Sequence, residues 1–112
     1  YDGASVYASP MGGSLLKVPF AIGGSGSAYI TGYCDAYYKA GMSRDECLKF
    51  VRGAVAHAMS RDGSSGGICR TVVIDKEGVS REYVSESKGD LPVTLGDMPR
   101  EKAVDISTAM VQ

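Results

Sequence analysis

Two glycine-serine loops hold the residues of this chain whose types and spacing could do chemistry. The first, Gly23-Gly24-Ser25-Gly26-Ser27, lies where a strand pattern gives way to a helical one. Free backbone N–H groups and the positive end of a helix dipole at such a junction favour an anion or oxyanion. The plainer alternative, which the local pattern favours, is a serine-capped helix start. Read as G-x-G-x-x-G from Gly24, the loop has Tyr29 at the last glycine position, so the dinucleotide fingerprint is incomplete. The second loop, Arg61-Asp62-Gly63-Ser64-Ser65-Gly66-Gly67, follows another helical stretch. Asp62 falls in or just past the last turn, the end of the macrodipole that favours cations, a placement unfavourable by up to about 1 kcal/mol. Either a cation answers it, with Arg61, Arg70 or an ammonium from elsewhere as candidates, or the carboxylate hydrogen-bonds its own turn. His57, the single histidine, sits inside a helical stretch and reads as structural or surface, with nothing to place it beside Ser25 or Ser65 in a Ser-His-Asp triad. Cys47 and Cys69 read as small core residues.

The elements that must position these loops follow from periodicity. Ala4 to Ser9 and Leu15 to Ile22 read as strands around the turn Pro10-Met11-Gly12-Gly13-Ser14, with Pro19 marking an edge or bulge. Tyr29, Tyr33, Ala36, Tyr37 and Ala40 form one helical stripe, Asp35 and Lys39 a pair on the opposite face, and Gly41 a stop. Ser43-Arg44-Asp45-Glu46 has the form of a capping box and opens a second helix, with Leu48, Val51, Val55, Ala58 and Met59 as its buried stripe. Gly53 lies mid-helix at a cost of about 1 kcal/mol relative to Ala, which a closely approaching neighbouring backbone would explain. The two helices are expected to form an antiparallel hairpin. Cys69 to Ile74 and Val79 to Val84 read as strands joined through Asp75-Lys76-Glu77-Gly78. The predicted class is α+β with the order ββααββ. Thr71-Val72-Val73-Ile74 lacks clean alternation, the pattern of a strand covered on both faces. One helical hairpin covers one face, so the other cover is expected from another segment or subunit. Residues 1–88 form the domain portion, and residues 89–112, with Pro92, Gly96 and Pro99, an irregular tail with at most a short helix after Asp97.

The bulk properties exclude several classes. The length of 112 residues suits one domain. Twelve Lys and Arg against thirteen Asp and Glu leave a formal charge of −1, without the basic footprint that nucleic acid requires. Three widely spaced cysteines fit neither a disulfide framework nor a zinc site, and point to a reducing compartment. No apolar run approaches the roughly 18 to 20 residues that span a bilayer, so no membrane association is expected. No cofactor and no metal are expected. The opening Tyr1-Asp2-Gly3, without an initiator Met, reads as a processed chain or an excised piece.

Pro19-Phe20-Ala21-Ile22-Gly23-Gly24-Ser25-Gly26-Ser27, the helix pair with Gly41-Met42 at its turn and Glu46-Cys47 beyond, and Arg61 to Gly67 together resemble the C-terminal half of a proteasome beta-type subunit. That family comprises threonine proteases of the N-terminal nucleophile hydrolase class, and the resemblance runs from about Val6 to Val84, nearest in detail to the caspase-like type of the eukaryotic core particle. It implies a portion of a four-layer αββα sandwich, with the missing layers supplying the second cover. It also implies peptide-bond cleavage, after acidic residues, by the hydroxyl of an N-terminal threonine assisted by its own amino group and a lysine. Asp62 and Ser65 match the family's aspartate and serine around that threonine, and Ser25 matches the serine of the Gly-Ser-Gly loop. The α-ammonium would then be the cation beside Asp62. Tyr1 is not threonine, and Lys17 does not match the family lysine's motif, so the nucleophile lies outside the chain and the chain alone is expected to be inactive. The resemblance further implies proteasome alpha and beta subunits as partners, a polypeptide substrate, and residence in cytoplasm and nucleus. Two other readings are a noncatalytic assembly module of the ring and a small phosphate- or nucleotide-binding α/β domain using Gly24-Ser25-Gly26.

Overall fold

A computed structural model describes residues 3–85; the predicted tail at 89–112 and the boundary at 88 lie outside the described residues. The elements run β1 (Val6–Ala8), β2 (Leu16–Val18), α1 (Ser27–Tyr37), α2 (Arg44–Arg61), β3 (Ile68–Asp75) and β4 (Gly78–Ser85). β1 and β2 pair antiparallel with Val6 opposite Val18, and β3 and β4 pair antiparallel from Ile68 opposite Ser85 to Asp75 opposite Gly78. Among the described residues these are two separate two-stranded sheets.

The first hairpin is shorter than its apolar pattern. Pro19 stands just past β2 rather than inside it, because a residue without an N–H cannot extend the ladder. Its turn is made possible by Gly12 and Gly13, at φ +109° and +83°. In the second hairpin the turn closes on Asp75, whose Oδ1 accepts the Glu77 N–H at 2.9 Å.

α2 starts as its local chemistry demands. Ser43 Oγ accepts the Glu46 N–H at 3.2 Å, and Glu46 Oε2 accepts the Ser43 N–H at 2.8 Å. These bonds from Ser43, aided by the charge of Lys39, hold the Glu46 carboxyl below its ordinary range. α1 instead ends at Tyr37, ahead of Gly41, and Tyr38 turns extended. The cause is tertiary: the Tyr38 ring lies 5.1 Å from Phe20 and 6.2 Å from Phe50 between centroids. Ala40 and Lys39 therefore fall outside the helix, contrary to the stripe and the pair expected from spacing.

Both helices bury a line different from the one their large residues suggest. In α1, Ile30 and Cys34 are buried while Tyr29 and Tyr37 are 57% and 61% exposed, with Tyr33 half-buried between them. In α2 the buried residues are Gly53, Ala54, Ala56 and Ala58, whereas Val51 is exposed and Leu48, Val55 and Met59 are half-buried. Cys47, expected in the core, is exposed on the outer side of α2; Cys34 and Cys69 are buried, and burial pushes both thiols up. Close approach of the helices selects small residues at their contact. A methyl on Gly53 would overlap the Tyr33 hydroxyl, so the crowding comes from a side chain and not from a backbone. Gly26 meets Ala58 at one end of the pair and Tyr33 stacks on Phe50 nearer the other, which makes the helices antiparallel. Ile30, Cys34, Ala54 and Ala58 form the core, flanked by Phe20, Tyr33 and Phe50.

α2 covers one face of the second hairpin. Cys69 and Thr71 point toward it and are buried, and Arg52 reaches across to Thr71 Oγ1 at 3.3 Å and Glu82 Oε2 at 2.8 Å. The other face carries Ile68, Val72, Ile74, Val79 and Tyr83, exposed by 40% to 67%. Where the unbroken apolar run predicts cover on both sides, the described residues supply it on one.

Candidate functional site

Three side chains drawn from the two loops meet at one carboxylate. Ser25 precedes the first residue of α1 by two positions, Asp62 caps the C-terminus of α2, and Ser65 lies in the turn beyond. That turn is closed by the Ser65 N–H donating to the Asp62 carbonyl at 3.1 Å, while the Asp62 N–H finishes the helix on the Ala58 carbonyl at 2.8 Å. Asp62 Oδ2 accepts from Ser65 Oγ at 2.6 Å and from Ser25 Oγ at 2.7 Å, and Oδ1 accepts the Ser64 N–H at 3.2 Å. Ser25 and Asp62 are 37 residues apart in sequence, so the helix pair is what brings them together.

Asp62 is 8% exposed. Hydrogen bonds from Ser65, then Ser25, then the Ser64 N–H hold its carboxyl below the ordinary aspartate range, and desolvation opposes them only weakly. The carboxylate therefore stays ionised at neutral pH. Its unfavourable position at the C-terminus of α2 is answered from outside that helix. A methyl built on Gly26, the N-cap of α1, would lie 3.5 Å from Oδ2, so the charge sits beside the positive end of α1. Both candidate explanations thus meet a more specific arrangement. The carboxylate does bond its own turn through Ser64 and Ser65, but among the described residues neither Arg61 nor Arg70 forms an ion pair with it.

The same geometry corrects the plainer reading of the first loop. Gly26 is the N-cap and makes no side-chain cap bond; Ser27 Oγ donates to the Gly24 carbonyl at 2.8 Å, and Ser25 turns to Asp62. The position favourable to an anion at this helix start is taken by Asp62, and its negative charge opposes binding of a phosphate there. A serine hydroxyl that donates its one proton to a carboxylate keeps only acceptor capacity. Asp62, Ser25 and Ser65 consequently form a cluster of acceptors, suited to a group that brings N–H or ammonium donors. No three His, Cys, Asp or Glu side chains converge among the described residues in a way that could hold a metal ion.

His57 stands apart from this cluster. Its Nδ1–H donates to the Gly53 carbonyl at 2.8 Å and its ring lies 4.4 Å from Tyr33 between centroids, which fixes it as part of the helix packing. Pattern reasoning placed Ala58 in a buried stripe and Gly26 in the first loop, but missed that the two meet beside this cluster. Both are buried, with Gly26 between Ala58 and the carboxylate, and no local signal separates Gly26 from the other glycines of its loop.

Residues 1–74 match the family model described as proteasome subunit. Over 84 residues, 75% of this chain and 39% of the relative, the sequence is 56% identical to proteasome subunit beta type-6 of Dictyostelium discoideum. It is 49% identical to probable proteasome subunit beta type-1 of Schizosaccharomyces pombe, over 81% of this chain and 41% of that protein. It is 53% identical to proteasome subunit beta type-9 of Homo sapiens, over 74% of this chain and 37% of that protein. The chain spans about two fifths of the length of the curated relatives it matches. A family match that takes in both glycine-serine loops, joined to beta-type relatives at 49% to 56% identity, shows that this chain belongs to the proteasome subunit family.

Proposed function

We propose that this chain is the C-terminal portion of a proteasome beta subunit whose intact form cleaves peptide bonds, after acidic residues, with an N-terminal threonine as nucleophile. The observation that carries the reading is the convergence of Ser25, Asp62 and Ser65 into one ionised acceptor cluster. An N-terminal threonine presents an α-ammonium and a hydroxyl together, and such a cluster complements both. In this reading Asp62 and Ser65 hold the α-amino group and the hydroxyl in line with the peptide carbonyl. Ser25 gives Oδ2 its second hydroxyl donor. A deprotonated α-amino group can then take the hydroxyl proton as it attacks and return it to the leaving amine. This stretch supplies supporting groups and not the nucleophile, so alone it does not turn over peptide.

The exposed face of β3 and β4, largely apolar but carrying Arg70 and Arg81, supports placement in a four-layer αββα sandwich, with the remaining strands of the parent laid on that face. The proposed partners are other proteasome alpha and beta subunits and a polypeptide substrate, in the cytoplasm and nucleus. The test is hydrolysis of a fluorogenic peptide ending on glutamate by the full-length parent assembled in its particle. Asp62→Asn should lower kcat/KM by about 100-fold or more, the scale of a lost proton-transfer arrangement, with assembly unchanged on native gels. Unchanged turnover removes Asp62 from the mechanism, and turnover by the 112-residue chain alone overturns the assignment of the nucleophile elsewhere.

A further inference from the structure

We infer that Gly26, backed by Ala58, is a positioning residue of the Asp62 cluster: the bare backbone of α1 at this point holds the Ser65 hydroxyl on Oδ2. Its catalytic consequence rests on the reading above; the geometric part does not.

The first observation is that Gly26 is not needed for its conformation. Its φ of −77° and ψ of −11° are open to any residue. Its αR backbone is not the extended form from which a Ser, Asp or Asn side chain caps a helix, and no side-chain cap bond is made here. Glycine therefore answers to space. A Cβ at this position would lie 3.0 Å from Ala58 Cβ, 3.0 Å from Ser65 Oγ and 3.5 Å from Asp62 Oδ2. Both 3.0 Å contacts are inside ordinary van der Waals separation, so a methyl requires a few tenths of an ångström of movement at each neighbour.

What the movement disturbs follows from how each neighbour is held. Ala58 Cβ is fixed directly to the α2 backbone inside the helix-pair core. Ser65 Oγ already stands 2.6 Å from Oδ2 and cannot move closer to it. Its remaining freedom is rotation about Cα–Cβ, which breaks the shorter of the two hydroxyl bonds to the carboxylate. The gap between α1 and α2 thus acts as a size limit, and its floor is Gly26.

The test pairs a readout that is independent of activity with one that is not. Aspartate carboxyl carbons in the 112-residue chain are followed by NMR across acid pH. Gly26→Ala should raise the titration midpoint of Asp62, and so should Ser65→Ala. The double substitution should give no further rise than Ser65→Ala alone, because both changes remove the same bond. Should Gly26→Ala leave the chain unfolded, Gly26→Ala combined with Ala58→Gly removes the contact on the α2 side and restores folding, and its midpoint should still be raised, because the contact with Ser65 Oγ at 3.0 Å remains. An unmoved midpoint in a folded Gly26→Ala chain, additive shifts in the double, or a midpoint returned to that of the unsubstituted chain by Ala58→Gly overturns the inference. In the assembled parent, Gly26→Ala should lower kcat about tenfold, the scale of a displacement of a few tenths of an ångström at a reacting group. It should also move the acid limb of the pH profile upward and leave KM within about threefold. A shifted midpoint in a parent that hydrolyses no peptide overturns the protease reading and leaves the positioning role standing.

Discussion

Alanine at Gly53 sets two known effects against each other, and the structure decides which wins. Removing a mid-helix glycine stabilises a helix by about 1 kcal/mol. Against that, the new methyl would overlap the Tyr33 hydroxyl and stand 3.4 Å from Cζ. A hydroxyl at the end of a free side chain would swing aside at little cost, but Tyr33 is held. Its ring stacks on Phe50 at 5.9 Å and 8°, and lies 4.4 Å from His57 and 4.8 Å from Tyr37 between centroids. Overpacking against a fixed group costs about 1–3 kcal/mol, so Gly53→Ala should destabilise the protein by about 1 kcal/mol net.

Tyr33→Phe takes away only the oxygen. The 3.4 Å approach to Cζ that remains is ordinary contact, so in this background Gly53→Ala should stabilise by about 1 kcal/mol, the helix term alone. The coupling between the two sites is then about 2 kcal/mol, with a reversal of sign. Urea unfolding followed by far-UV circular dichroism, with equal slopes for all four proteins, measures it. The reasoning is refuted if Gly53→Ala stabilises both backgrounds, which would mean that the ring moves freely, or destabilises both, which would place the conflict somewhere other than the hydroxyl.

Two further outcomes follow from the polar contacts. Ser43→Ala removes the acceptor of the Glu46 N–H and should lower stability by about 1 kcal/mol, read as a fall in Tm that Ser43→Asp largely restores. Asp62, with its carboxyl below the ordinary range in the folded chain, contributes stability that is present above the unfolded value of about 3.9 and is lost as pH falls through it toward the lower folded value. Glu46 acts with the same sign. Asp62→Asn should therefore make the acid-side loss of stability shallower than in the unsubstituted protein, checked by urea midpoints between neutral pH and about pH 3.

The parts of the fold readable from sequence are those decided by contacts a few residues apart. The Ser43 and Glu46 box forms as its spacing requires, and the turn at Asp75 closes where the hairpin signal lies. The helix faces are decided elsewhere. Tyr29, Tyr33 and Tyr37 repeat at the spacing of a core stripe, yet the contact surface of α2 is lined by Gly53, Ala54 and Ala58. A close approach of that kind admits the compact Ile30 and Cys34 and turns the outer rings to the exterior. Ser65 is three residues from Asp62 and legible as its partner in one turn. Ser25 is not, because only the packing of α1 on α2 places it there, and the family resemblance alone pointed to it.

Asp62 shows why a local conflict is informative even where neither arginine candidate among the described residues forms an ion pair with it. At the C-terminus of α2 a carboxylate opposes the helix dipole, and the obvious remedy in sequence terms is a neighbouring arginine. The molecule uses the N-terminus of the antiparallel helix instead, so that one helix's unfavourable end lies against the other's favourable one, with hydroxyls in place of a cation. An arginine in bidentate contact would have neutralised the carboxylate and covered both oxygens. Two hydroxyls and an N–H keep it ionised and leave its net charge uncompensated by any side chain among the described residues. A buried ion pair carries its own desolvation cost, so hydroxyl donors also serve a purely structural aspartate; in the proposed function the uncompensated charge meets a cationic group from another segment.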